Sequence, residues 1–441
     1  MKLTKLAGAL AVAGIITPGL ALATNGYFSH GYGMKAKGMG GTATAIADDA
    51  FGGANNPATM VFAGSRLDIG LDWFSPHRDI SRSGSTTPGG DLNGSATSGS
   101  NNFLIPELGY NRMLNPNMSL GITIYGNGGM NTDYPGGQIA AGNATCGAFN
   151  PSSSGPYNML CGSGRLGVDL TQLIVAPTFA FKINDKNAIG IAPLFGFQQF
   201  RAEGLQAFAG FSTDPSHVSN NGYDTATGWG ARVGWYGKLS DRVSLGLAYA
   251  SKIDMSRFDK YRGLFADNGK LDIPSNWDAG IAVKATSALT VAVDYQHINY
   301  SEVPAINNPS TNGNPGYTNT LGGSNGRGFG WKDVDVFKLG LEYQYSPKLT
   351  LRGGYNHGNN PIQARDVTFN LIAPGVIEDH LTLGMTYRPA INSEVTVAYM
   401  HAFQNSVSGS SLFNTWTGNT AGTEKQQMYE DSLGIAYGLK F

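Results

Sequence analysis

The chain is short of charge, of cysteine and of long apolar runs. Charged side chains make up 14% of its 441 residues, well under the roughly 25% of an ordinary soluble domain, which disfavours a helical soluble enzyme. The formal net charge is -1, so the basic field that attracts a phosphate backbone is missing and nucleic acid is not expected as a partner. Beyond the first two dozen residues nothing approaches the roughly 18 consecutive apolar residues of a membrane helix. Two cysteines, Cys146 and Cys161, are too few for a disulfide scaffold, and in an exported chain they fit a single bridge. The histidines form no HExxH pair or close cluster, and the glycine-rich stretches lack the setting of a nucleotide fingerprint. No metal site and no cofactor are expected. Scattered Ser, His and Asp side chains form no ordered catalytic motif, and the chain is read as non-enzymatic.

What is abundant is glycine, at 62 residues, together with alternating patterns. The first 23 residues read as an export signal: Lys2 and Lys5 precede an apolar run broken by Pro18 and Gly19, and Ala21-Leu22-Ala23 supplies the small-x-small cleavage form. From about residue 66 onward, large apolar residues alternate with small or polar ones between turns, the period of a β-strand. Leu433, Ile435, Tyr437, Leu439 and Phe441 share one face of the last segment; Leu381, Leu383, Met385 and Tyr387 share one face of another.

Fourteen such segments are expected, near 66–78, 103–114, 118–133, 166–183, 189–206, 224–239, 243–258, 272–285, 289–302, 333–346, 349–361, 378–389, 393–407 and 429–441. A soluble sandwich would also alternate. Aromatic ends on the apolar faces, an even strand number and short polar turns alternating with long loops favour an all-β, fourteen-stranded antiparallel transmembrane β-barrel of the bacterial outer membrane, with both termini periplasmic. The Gly/Ser/Asn-rich stretches 81–102 and 307–328 are expected to be mobile surface loops. Residues 24–62 carry too many glycines for a membrane strand, yet they are moderately apolar. They could pack in a barrel mouth, with a short helix over 42–50.

The stretch Gly38-Met39-Gly40-Gly41-Thr42-Ala43-Thr44-Ala45-Ile46-Ala47-Asp48-Asp49-Ala50, followed by Asn55-Asn56-Pro57-Ala58-Thr59-Met60, resembles the N-terminal hatch of the FadL family. These are outer-membrane long-chain fatty acid transporters, with toluene and xylene uptake channels among their relatives. The resemblance covers essentially the whole mature chain. It implies a monomeric barrel over 63–441, plugged by a hatch over 24–62 whose bend is fixed by Asn56, Pro57 and Ala58. It also implies passive uptake of hydrophobic small molecules, long-chain fatty acids first and aromatic hydrocarbons as the alternative, through an internal pocket and a lateral opening at a kinked third strand. Here Gly126, Gly128 and Gly129 would permit that kink. The surroundings would be outer-membrane lipids and lipopolysaccharide, with the barrel-assembly machinery acting in biogenesis and terminal Phe441 as its signal.

Candidate ligand contacts along an apolar route are Phe28, Met34, Met39, Phe51, Phe195, Phe197, Phe200 and Phe208. Arg201 and Lys252, and also Arg165 and Arg262, could meet a carboxylate near the barrel mouth. A carboxylate partner matters for fatty acids and not for aromatic hydrocarbons, so both ligand classes stay open. A general diffusion porin is the rival, and would be expected to have an open, charge-lined lumen.

Overall fold

The computed structural model describes residues 25–313 and 320–441; the export signal lies outside them. Fourteen antiparallel strands close into a barrel. They are β1 (Arg66–Ser83), β2 (Phe103–Asn115), β3 (Met118–Asn131), β4 (Gly167–Asn184), β5 (Asn187–Glu203), β6 (Asp224–Lys238), β7 (Val243–Ala250), β8 (Asn276–Lys284), β9 (Leu289–Ile298), β10 (Val334–Ser346), β11 (Leu349–Gly358), β12 (Asp379–Ala390), β13 (Ser393–Ser410) and β14 (Thr423–Lys440). Each pairs with its sequence neighbours, and β14 pairs with β1 along its whole length, Arg66 opposite Lys440 and Ser83 opposite Thr423. One chain therefore leaves no open sheet edge, the condition for crossing lipid with strands.

The alternation sorts each strand's side chains. Leu339, Leu341 and Tyr343 on β10, Leu381, Leu383 and Met385 on β12, and Leu433, Ile435 and Tyr437 on β14 are all exposed on the outer face, where lipid is the solvent. Between them Lys338, Thr382, Ser432 and their equivalents are buried on the luminal face. Phe441 stacks on Tyr110 with ring centroids 6.0 Å apart, extending the aromatic rim at the periplasmic end.

Several expectations change. β7 ends at Ala250, and the chain then folds back so that Asp254 and Met255 pair with Trp229 and Gly228 of β6; Ser251 interrupts the lipid-facing row of Leu247 and Tyr249, and Ile253 and Met255, in phase with that row, are buried instead of facing lipid. The stretch 81–102 is ordered, because β1 and β14 run on above the membrane and Gly94–Thr97 pairs with Asp79–Arg82. The segment from Leu321 to Trp331 is largely buried, with Leu321, Arg327, Phe329 and Trp331 inside the loop cluster. Its glycines let the backbone pass between neighbours, which composition alone reads as mobility.

Residues 25–65 fill the lumen. No helix forms over 42–50; the hatch instead carries short helices at Met34–Lys37, Pro57–Thr59 and Met60–Ala63. Asn56 caps the second of these, its Oδ1 accepting from the Ala58 amide at 3.1 Å while Pro57 occupies the first helical position, where a missing N–H costs nothing. Its Nδ2 donates to the Thr44 carbonyl and to the Trp235 carbonyl of β6, both at 2.9 Å. The motif thus fixes the bend and pins it to the wall. Elsewhere Asp294 of β9 accepts from the Ala43 and Thr44 amides at 2.8 and 2.9 Å, and Asn356 of β11 donates to the Gly40 carbonyl at 3.1 Å.

Candidate functional site

Buried ion pairs tie the hatch to the wall. Lys37 lies 2.7 Å from Asp72 and 3.7 Å from Glu107, all three buried. Lys35 lies 2.7 Å from Glu394, which also meets Arg66 at 2.5 Å. Burial opposes the charge on Lys37, but Asp72 and Glu107 outweigh it and raise its pKa above the ordinary lysine value. Such pairs form only because each charge finds a partner across the lumen. Met34, Met39 and Phe51 are buried within this interface; Met39 packs with Ala45, Ala282 and Ala292. They line the hatch–wall contact, not the loop-side cavity described below. Beneath the hatch a vestibule of about 530 Å³ is lined in part by charged groups, Asp48, Lys238, Arg242, Lys284 and Glu342 among them.

On the loop side of the hatch lies a narrow apolar cavity of about 40 Å³. Phe200 of β5 reaches it from the wall. Leu160, Phe208, Phe265, Phe329 and Phe369 come from five different loop segments. Arg327 is the one charged side chain in its lining. That guanidinium donates to the Ser310 carbonyl at 2.7 Å and lies over the Phe211 ring at 5.6 Å, and burial lowers its pKa. The bridge between Cys146 and Cys161 ties the Ala144–Phe149 helix to the segment carrying Leu160.

The wall is interrupted beside this space. The β2–β3 ladder runs from Asn115 opposite Met118 to Leu108 opposite Ile124 and stops. Beyond it the barrel pairing is one-sided: Phe103–Glu107 meet β1 and Tyr125–Asn131 meet β4, with a register shift between Gly126 and Gly128, but the two segments do not pair with each other. From Tyr125 to Asn131 consecutive residues are all buried, so period two is lost because the strand end turns inward. Phe28 bridges Gly128, and the Ser29 amide donates to the Asn127 carbonyl at 3.1 Å. A Cβ on Gly128 would sit 1.7 Å from the Tyr27 carbonyl oxygen, so only glycine admits the hatch backbone here. A smaller cavity of about 10 Å³ lies between Gly26, Arg78, Met130, Thr132, Trp331 and the 373–375 segment.

The sequence candidates divide accordingly. Phe200 and Phe208 line the apolar cavity and Phe28 packs at the kink. Phe195 is 52% exposed and Phe197 half-buried on the same outer face of β5; both face lipid, in phase with Ile189 and Ile191. Arg201 pairs with Glu203 at 3.1 Å and Lys252 with Asp272 at 3.1 Å, and neither lines the cavity. Arg165 pairs with Asp133. Arg262 pairs with Asp214, whose carboxyl is held well below the usual carboxylate range by hydrogen bonds from His217, Arg262 and Ser216. Arg327 escaped sequence reading because it sits in a Gly/Ser-rich stretch; the Phe-Gly-Trp just after it was the available signal. Among the described residues no group of His, Cys, Asp or Glu could hold a metal ion.

A lipid-facing fourteen-stranded barrel with a filled lumen, an apolar cavity among its loops and an interrupted wall defines an outer-membrane transport protein, not an open diffusion pore. Residues 11–440 match the family of outer membrane protein transport proteins (OMPP1/FadL/TodX). The chain belongs to that family, and its place is the bacterial outer membrane. It is 25% identical over 390 residues to outer membrane protein P1 of Haemophilus influenzae, covering 81% of each chain. Among solved structures it is similar to the toluene transporter TodX of Pseudomonas putida, with 18% identity, 95% of this chain and 100% of that one covered, and a TM-score of 0.65. It is also similar to a FadL homologue of Pseudomonas aeruginosa, with 16% identity, 94% and 100% covered, and a TM-score of 0.66. These likenesses share the fold.

Proposed function

We propose that the protein passes uncharged hydrophobic compounds, monoaromatic hydrocarbons foremost, passively from the loop-side cavity to the membrane through the gap between β2 and β3. The observation that carries this reading is the lining of the cavity, the rings of Phe200, Phe208, Phe265, Phe329 and Phe369. Its lining is almost wholly apolar, and aromatic rings favour edge and offset contacts with an aromatic guest. A hydrocarbon that left this cavity through the polar vestibule would lose about 0.8 kcal/mol per CH2 returned to water. The gap offers it a path into lipid instead. The hatch, anchored by buried ion pairs, closes the aqueous route, and the protein acts as a monomer among outer-membrane lipids and lipopolysaccharide. The toluene transport named for the P. putida relative supports this ligand class.

Long-chain fatty acids are the second reading, favoured by Arg327, whose guanidinium could give an N–H to a carboxylate within the same lining. Calorimetry of the detergent-solubilised barrel with toluene and with a long-chain fatty acid separates the two. Phe208→Asp should weaken toluene binding about tenfold or more, the equivalent of about 1.4 kcal/mol, without loss of the heat-modifiable barrel. Unchanged toluene affinity would remove the cavity as the site. Tight fatty-acid binding that falls in Arg327→Gln and survives in Arg327→Lys would make the second reading the main one.

A further inference from the structure

Three successive hairpins carry the same arrangement on the outer face. Tyr295 and His297 of β9 face Asp335 of β10, Tyr355 and His357 of β11 face Asp379 of β12, and Tyr399 and His401 of β13 face Asp431 of β14. In every case the histidine lies directly opposite the aspartate in the register. Its Nδ1 is 2.7, 2.7 and 2.9 Å from the carboxylate, and the tyrosine hydroxyl donates to the same oxygen, Oδ1. Two strand spacings separate one cluster from the next, about 10 Å.

The clusters stand at the loop end of the lipid-facing band. Asp335 and Asp379 lie at or next to the first residue of their strands on that side, and below the three aspartates come Phe337, Leu381 and Leu433, all exposed. A carboxylate at such a boundary costs free energy unless it is bonded. Here only half of it is bonded. Among the described residues no hydrogen bond reaches Oδ2 of Asp335, Asp379 or Asp431, and the three carboxylate side chains are 50%, 39% and 30% exposed. Because Nδ1 donates to the aspartate, in the neutral form of each ring the lone pair lies on Nε2, turned away from that bond. The free valences of each cluster are therefore acceptors, set beside an aromatic ring. A partner must bring donors, and an anionic phosphate is repelled by the carboxylates.

We propose that these Tyr-His-Asp clusters form a row of docking sites for the sugar headgroups of outer-leaflet glycolipid, with hydroxyls donating to Asp Oδ2 and His Nε2 and the sugar resting on the tyrosine ring. The orientation argues for the outer leaflet: the clusters lie at the end opposite the short turns that join β10 to β11 and β12 to β13. The repetition on neighbouring hairpins matches a lipid lattice more than one soluble ligand. This inference is independent of what passes through the barrel.

Native mass spectrometry of the full-length barrel, exchanged into detergent with equal amounts of a dephosphorylated diglucosamine glycolipid, phosphatidylethanolamine and phosphatidylglycerol, tests it. The wild type should retain the glycolipid preferentially. The triple variant Asp335→Asn, Asp379→Asn, Asp431→Asn should lose about tenfold of that retention, with the heat-modifiable barrel intact and hydrophobic-ligand binding unchanged. If the triple variant assembles poorly, His297→Phe, His357→Phe and His401→Phe together serve the same purpose, keeping a ring in place and removing the acceptor nitrogen. Equal retention by wild type and variant overturns the proposal. So does preference for phosphatidylethanolamine, which would assign the row to an ammonium, or for phosphatidylglycerol.

Discussion

The Thr132 hydroxyl, just past the inward-turned end of β3, donates to the carbonyl of Ile372 at 2.7 Å. Ile372 lines the apolar cavity, whereas Thr132 and the 373–375 segment line the smaller one beside the gap. This hydrogen bond thus ties the interrupted wall to the partition between the two spaces. Thr132→Val keeps the shape and removes the donor, leaving a buried carbonyl unpaired at a cost of about 1–3 kcal/mol. The amides of Ala373 and Val376, which donate to Asn370 and Pro374, should then exchange with solvent about tenfold faster while strand amides stay protected. Unchanged exchange would show that the partition is held elsewhere.

The hatch should be loosened by one substitution. Lys37→Met leaves Asp72 and Glu107 buried without their cation, which typically costs about 3–5 kcal/mol. Single-channel conductance in planar bilayers should rise, and it should fall back when Asp72→Asn and Glu107→Gln are added. A conductance indifferent to all three changes would mean that the ion pairs do not seat the plug.

Cys146 and Cys161 close a short loop, for which the chain-entropy view gives about 3 kcal/mol of local stabilisation. Non-reducing peptide mass mapping should find them linked. Replacing both by Ser should weaken hydrophobic-ligand binding through Leu160 of the cavity wall, while barrel unfolding stays where it was. Equal ligand affinity in bridged and unbridged protein would detach the bridge from the site.

How much of this was legible follows from what each face touches. The lipid-facing residues of β10, β12 and β14 could be read from sequence because lipid demands apolar side chains at every second position, and all fourteen strands were found on that signal. The parity of β5 was equally available: Ile189 and Ile191 put Phe195 and Phe197 outside and Phe200 inside. The Asn56 cap before Pro57 is visible in sequence because capping is local. Lys35 with Glu394 and Arg66 with Glu394 could not be read, because their pairing is set by the closure of β14 on β1. The cavity was hidden for a related reason. Its rings come from loops whose glycines and serines look solvated until neighbouring loops cover them.

The central claim is that hydrophobic compounds cross by the loop-side cavity and leave through the gap held open at Gly128. Uptake of toluene and of a small sugar into vesicles bearing wild type or Gly128→Val tests it most directly, since a side chain there collides with the Tyr27 carbonyl and displaces the hatch strand from the kink. Wild type should speed toluene entry and admit sugar slowly, and the variant should lose about tenfold or more of the toluene rate with its barrel intact. Fast sugar diffusion in the wild type, or undiminished toluene entry in a folded Gly128→Val barrel, would contradict the account.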